Sequence, residues 1–139
     1  MLHTGTSCDL AHLLRSLEPV LNAGTYIFAS VPFDFDIGSI ESRASLIATV
    51  REVEGLTLVV EESALVESLG LRVLFRSRWI TLNVHSDLEA VGLTAAFSSK
   101  LGESGISCNV IAGAFHDHIF VPVDRAEEAM LRLKELQSA

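Results

Sequence analysis

Two histidines flank an aspartate at His116-Asp117-His118, and this triplet is the first place in the sequence to look for chemistry. On a strand, the two histidines share one face while the aspartate points to the other; in a tight turn, all three are exposed to solvent. Two ligands bind a metal weakly without a third, for which His85 or His12 is available. The triplet is therefore a candidate turn between two strands, and we expect no metal site.

Other catalytic patterns give little support for an enzyme. The sequence contains no GxSxG elbow, no HExxH helix and no P-loop. Cys8 and Cys108 are far apart and lack activating neighbours, so we expect reduced thiols. A small metal-dependent enzyme using His85, His116 and His118 is the least favoured alternative. We expect neither catalysis nor a cofactor.

Residues suited to ligand binding lie in the second half of the chain. Ser86, Asp87 and Glu89 could bind an ammonium group, although Ser86 with Glu89 is also a capping box for a helix. Gly92 would let the backbone approach a ligand, and the helix N-terminus after it favours a carboxylate; the alternative is a glycine required only for packing. Asn109 offers both a donor and an acceptor, to a ligand or to an edge hydrogen bond.

The composition of the chain limits the kinds of partner that it is expected to bind. The 139 residues are 49% apolar and 20% charged, with a net charge of −8, which is typical of a globular protein. The acidity argues against nucleic acid and against an anionic membrane surface. No apolar run reaches the roughly 20 residues of a membrane helix, and the N-terminus lacks a signal-peptide pattern. We therefore expect a cytoplasmic location.

The periodicity of apolar residues predicts alternating helices and strands. In the first half the predicted elements are a helix from Asp9 ended by Pro19, a strand over 25–32, a loop over 33–45, a hairpin about Gly55, and a short helix capped by Ser63 and closed by Gly70. In the second half they are a strand over 71–85, whole or broken near Ser77, a helix from between Ser86 and Gly92 to Gly105, strands over 105–115 and 119–123, and a helix from Asp124 with Glu127 as a capping box.

The order helix–strand–strand–helix occurs twice, which indicates an internal repeat. We predict an α+β fold of two tandem ferredoxin-like βαββαβ halves, residues 1–70 and 71–139, packed side by side, with antiparallel sheets and helices on one face. The second half ends at its second helix and lacks a final strand. Because an open edge invites aggregation, either the first half or a second copy must supply that strand.

Residues 78–123 resemble the ACT domain in its small bacterial two-repeat form. The segments A48TVREVEGLTLVV60 and VGLTAAFSSKLGESGISCNVIAG carry the resemblance most clearly. The family's usual turn before the helix contains a proline, whereas this chain has Glu89-Ala90-Val91-Gly92-Leu93. Gly92 matches the glycine of that turn.

The resemblance implies a regulatory module that binds a small molecule, typically an amino acid, at an interface between domains, and that pairs as a homodimer. It maps the ligand-binding elements to two segments. Their residues are His85, Ser86, Asp87, Leu88, Glu89, Val91, Gly92, Leu93, Thr94, Asn109, Val110, Ile111, Ala112 and Gly113. The alternative is a structural or protein-interaction module with a degenerate ligand site.

Overall fold

The computed structural model describes residues 7–41, 46–84 and 92–138. The described chain has an α+β fold, as predicted. Its elements in order are α1 Ser7–Ser16, β1 Glu18–Leu21, β2 Tyr26–Val31, α2 Gly38–Glu41, β3 Leu46–Arg51, β4 Leu56–Glu61, α3 Ala64–Ser68, β5 Val73–Asn83, α4 Leu93–Glu103, β6 Asn109–Ala112, β7 Asp117–Pro122 and α5 Ala126–Glu135. Across these ranges, no helix is long and apolar enough to cross a bilayer.

The chain forms two compact units. The central unit is Ala23–Arg78, and the composite unit contains the described residues up to Asn22 and from Trp79 onward. Strand β5 contributes its first residues to the central unit and its last residues to the composite unit. The predicted division into residues 1–70 and 71–139 stays a prediction.

The central unit confirms the predicted hairpin and helix cap. Its strands follow the order β3-β4-β2-β5, and each of these neighbouring pairs is antiparallel. The hairpin between β3 and β4 closes where the Glu52 N–H donates to the Gly55 carbonyl. Helix α3 begins after Ser63, whose hydroxyl accepts a hydrogen bond from the Val66 N–H at 3.2 Å. This bond satisfies one of the N–H groups that lack a partner at a helix start.

Two details of the central unit differ from the sequence prediction. The segment 33–45, predicted as a loop, contains the short helix α2, because Ile40 is fully buried in the core with Ile27 and Val60. Strand β5 is continuous through Ser77, where a break was one of two predicted options. The buried Ser77 hydroxyl donates to the Tyr26 carbonyl at 2.8 Å, so the polar side chain is satisfied without a break.

The composite unit has a sheet with helices packed against one face. Its core joins Ile80 and Leu82 of β5 to Phe97 of α4 and Leu133 of α5. Since side chains alternate along a strand, Trp79 and Thr81 lie on the opposite face of β5. Strand β7 pairs antiparallel with β6 and neighbours β5.

Strand β1 supplies the strand that the second half lacks. The sequence predicts only that Pro19 ends the first helix, but β1 contains this proline and pairs antiparallel with β5 from Glu18↔Asn83 to Leu21↔Ile80. The Asn22 N–H donates to the Trp79 carbonyl, so Asn22–Trp79 is a hydrogen-bonded pair of this ladder. Such pairs alternate along an antiparallel ladder, which puts Pro19↔Leu82 at a position where the missing N–H costs nothing.

The last helix starts later than predicted. Residues Val123–Arg125 form a 3-10 turn, and α5 begins at Ala126 after Arg125, with no side-chain cap. The predicted capping box of Asp124 and Glu127 is therefore wrong. Arg125 donates instead to the Ser104 carbonyl at 2.8 Å and to Glu128 at 2.7 Å, which ties the start of α5 to the end of α4.

Candidate functional site

The first predicted ligand segment is described only from Gly92 onward. His85, Ser86, Asp87, Leu88, Glu89 and Val91 lie outside the described residues. Gly92 is the N-cap residue of α4 and has a left-handed backbone, with a φ of 99°. Its carbonyl accepts the Ala96 N–H at 2.9 Å, which closes the first turn.

The start of α4 has a glycine as its N-cap residue. Gly92 has no side chain to accept from the first N–H groups, and the first turn carries no acidic residue. The first N–H groups of a helix have no partner within it, and together with the helix dipole they favour an anion. Of the two residues after Gly92, Leu93 is a core residue and only 2% exposed, whereas Thr94 is exposed. Backbone amides, rather than the Leu93 side chain, are therefore what this segment can offer to a ligand.

Gly92 also has a close neighbour on α1. A Cβ added at Gly92 would lie 3.0 Å from the Leu10 Cδ2 atom. A side chain at this position would thus combine an unfavourable backbone with a tight contact. Both observations explain why a glycine stands here, and they support packing as one of its roles.

The second predicted ligand segment is strand β6 and the turn after it. Asn109 is exposed at the start of the strand, while Val110 packs against the core of the composite unit. Ile111 lies opposite His118 in the ladder with β7. At the end of the strand, the Gly113 N–H donates to the His116 carbonyl at 2.9 Å. A Cβ at Gly113 would lie 2.9 Å from the His116 carbonyl oxygen, so a larger residue does not fit this turn without a shift.

Topology puts the C-terminal ends of β5 and β6 at the same end of the sheet. His118 lies beside Thr81, and the Phe120 ring stacks on Trp79, so β7 runs antiparallel to β5 as well as to β6. Strands β5 and β6 are therefore parallel, and Gly113 lies at the edge from which the chain leads to α4. Asn109 is four residues away at the other end of β6, at about 13 Å for an extended strand.

The His116-Asp117-His118 triplet is not the predicted turn. Strand β7 begins at Asp117, and the turn is formed by residues 113–116. The turn forms at Gly113, whose N–H closes it, because glycine fits a tight turn better than the residues of the triplet do. Ile119 and Val121 are both fully buried, so the residues from Asp117 onward belong to the sheet. His118 is consequently a strand residue on the face that also carries Trp79 and Thr81.

His118 belongs to a chain of hydrogen bonds that was not predicted from the sequence. Trp79 Nε1 donates to His118 Nδ1 at 3.0 Å, and Thr81 Oγ1 lies 3.3 Å from the same nitrogen. Asn22 Nδ2 donates to Thr81 Oγ1 at 3.0 Å and to the Trp79 carbonyl at 3.2 Å. We call these four residues the His118 network. Alternation along β5 could have paired Trp79 with Thr81, but the sequence held no signal for Asn22, which is 59 residues from Thr81.

The network fixes the tautomer of His118. An indole N–H only donates, so His118 Nδ1 must be an unprotonated acceptor and the Thr81 hydroxyl must donate to it. Burial lowers the pKa of His118, His116 lowers it further, and Asp117 raises it. Burial likewise raises the pKa of the neighbouring Asp117 carboxyl. The arrangement favours a neutral imidazole and does not resemble a cation site.

Two further chemical candidates carry no site in the described structure. No group of three or more His, Cys, Asp and Glu side chains within the described ranges could hold a metal ion. Cys108 is half-buried, and burial raises the pKa of its thiol. A raised pKa reduces the thiolate fraction and makes this cysteine a poor nucleophile.

Comparisons with known proteins cover nearly the whole chain. One ACT-domain family model matches residues 6–78, and a second matches residues 74–135. The search of curated proteins found no match. A solved structure from Vibrio cholerae, described as a protein of unknown function and possible transport protein, is 48% identical with a TM-score of 0.83; the match covers 96% of this chain and 99% of that one.

More distant solved structures share the fold. The ligand-free regulatory subunit of aspartate kinase from Thermus thermophilus matches with a TM-score of 0.63 at 11% identity, over 85% of this chain and 95% of that one. Aspartokinase III of E. coli, in complex with aspartate and ADP, matches with a TM-score of 0.62 at 15% identity, over 91% of this chain and 34% of that one.

Proposed function

Because this chain belongs to the ACT-domain family of regulatory ligand-binding modules, we propose that its effector is an amino acid bound at the start of α4. The start of α4, where the N-cap residue Gly92 has no side chain to accept from the first amides, is the observation that carries this assignment. Its amide groups suit the effector's carboxylate. The site would be completed by residues His85–Val91 and by the end of the sheet near Gly113. Residues His85–Val91 are included on the basis of the resemblance alone.

The proposal assigns the chain regulation rather than catalysis. The amino-acid class of the effector rests on what the ACT resemblance implies, as an analogy of family. Transmission of the signal through pairing of two copies into a homodimer is a second part of the proposal. Sedimentation velocity with and without the effector tests that part separately.

The alternative function, an interaction module without a ligand, rested on an unfilled strand position in the second half. Strand β1 occupies that position within the same chain. The specific reason for favouring the alternative is therefore lost, and ligand binding is the better-supported function.

Calorimetric titration of the protein with each of the twenty amino acids tests the proposal. We expect one of them, or a chemically related group, to bind and to raise the unfolding temperature, because a ligand at 100 times its Kd stabilises by about 2.7 kcal/mol. The absence of binding by all twenty would overturn the amino-acid assignment.

A matched pair of variants on α4 tests the position of the site. Thr94→Glu places a carboxylate in the first turn, where it favours the helix but competes with the effector's carboxylate for the amides. We expect affinity to fall by about tenfold or more. Ser99→Glu, also exposed and on the same helix, should leave affinity unchanged. Equal affinities for both variants would place the site elsewhere.

A further inference from the structure

The His118 network joins three separate parts of the composite unit. Asn22 follows β1, Trp79 and Thr81 belong to β5, and His118 belongs to β7. Strand β1 has only four residues, and α1 precedes it. The side chain of Asn22, with two donor contacts to β5, is thus a main polar attachment of the end of this short strand.

The Trp79 contact at His118 Nδ1 requires that atom to accept, because Trp79 Nε1 only donates. The Thr81 hydroxyl, which accepts from Asn22 Nδ2, donates to the neutral ring at the same atom. A proton on Nδ1 would therefore face the indole N–H directly, at a heavy-atom separation of 3.0 Å. The imidazolium form is incompatible with the bond to Trp79, and the ring or the indole must move when it forms.

We propose that His118 is a proton-sensitive latch: its neutral form holds the end of β1 against β5 through Thr81 and Trp79, and its protonation releases them. The proposal rests on the donor and acceptor geometry and is independent of the proposed effector. It concerns a regulatory element within the composite unit, since β1 completes the sheet of that unit.

The surroundings of His118 contain few other charges. The titratable groups that act on it in the described structure are His116 and Asp117. Strand β5 presents the uncharged Trp79 and Thr81, the β1 end presents Asn22, and β6 presents Ile111 opposite. Burial and His116 disfavour the imidazolium, whereas Asp117 favours it, so the release belongs to the acidic side of the ordinary histidine range.

Trp79 is the only tryptophan in the chain and is therefore a direct reporter. Its ring centroid lies 5.6 Å from that of His118. We expect its fluorescence to change in one step between pH 8 and pH 4, with a midpoint below 6.5, because an imidazolium quenches a neighbouring indole and the hydrogen bond is lost. Thr81→Val should raise the midpoint by about half a unit, because the neutral form loses one hydrogen bond.

His118→Asn and His116→Asn form the matched pair. An asparagine at 118 keeps an acceptor near the position of Nδ1 but does not titrate, so the fluorescence step should disappear; at 116 the step should remain. Hydrogen exchange of the β1 amides, corrected for the intrinsic pH dependence, should accelerate across the same step in the wild type and not in His118→Asn. Far-ultraviolet circular dichroism should stay constant across the step.

Four results would overturn the latch. Two concern the fluorescence step: its absence in the wild type between pH 8 and pH 4, and its persistence in His118→Asn. The other two are unchanged exchange of the β1 amides across the step, and loss of all secondary structure at the same midpoint, which would indicate global unfolding.

Discussion

Gly92 combines a conformational and a steric requirement at a single residue. Its φ of 99° belongs to the left-handed region, and its missing Cβ leaves room for Leu10. A residue with a side chain in this backbone region costs of order 1–3 kcal/mol. The same residue also begins the helix whose amides form the proposed effector site, so packing and binding meet at one position.

Gly92→Ala should lower the free energy of unfolding by about 2 kcal/mol, since the new Cβ is strained and lies against Leu10. Urea denaturation measures this change. Gly102→Ala is the control, because Gly102 lies within α4 with open space around its Cβ position. There we expect a gain of about 0.5–1 kcal/mol from helix propensity. Equal effects of the two substitutions would contradict the assigned role of Gly92.

For individual residues, the sequence predicts local features but not contacts between distant parts of the chain. Gly92 and Ser63 were identified from type and spacing because caps and turns are local. The contact between Gly92 and Leu10 joins residues far apart in the chain, and no local pattern encodes it. The same holds for Asn22 and Thr81, whose hydrogen bond depends on the pairing of β1 with β5.

Among the elements, β1 has the greatest consequence for the fold. It is four residues long, contains a proline and follows directly after a helix, which are poor local signals for a strand. The strand forms because its backbone pairs with β5 at Thr81 and Leu82. It is also held by Leu17 and Leu21, which pack into the same core. The order of predicted elements indicates that a strand is missing, but no local signal identifies the segment that fills the gap.

Val20→Pro should detach β1. Val20↔Thr81 is a hydrogen-bonded position in the alternation set by Asn22–Trp79, so a proline removes one ladder bond. We expect a loss of about 3 kcal/mol in the free energy of unfolding and faster hydrogen exchange in the facing part of β5. Pro19→Ala, at a position that lacks such a bond, should change the stability by less than about 1 kcal/mol. A larger effect at Pro19 than at Val20 would show that the register of β1 is different.

For the whole molecule, the α+β class and the two-repeat organisation followed from periodicity and were confirmed. The ACT resemblance, stated on residues 78–123, is matched by family models that together cover residues 6–135. The pKa shifts of the folded chain could not be predicted from the sequence. They depend on burial and on the pairing of distant strands, and neither follows from the order of residues along one strand.

The stability of the protein should fall with acidity through His118. Its pKa in the folded state is below the ordinary value, so the unfolded chain takes up the proton more readily. The stabilisation by the neutral form is complete above pH 6.5 and is lost as the pH falls through the lowered pKa. Asp117 acts in the opposite direction, because its raised pKa favours the folded state only on further acidification.

Urea denaturation of the wild type and of His118→Asn at pH 7 and pH 5 isolates this contribution. The wild type should lose about 1 kcal/mol relative to the variant over this interval, which is the size of one hydrogen bond. Asp117 is present in both proteins, so its contribution largely cancels in the difference. A constant difference between the two proteins at both pH values would mean that the protonation of His118 is not coupled to folding, and the network would then be a packing feature without a role in acid sensitivity.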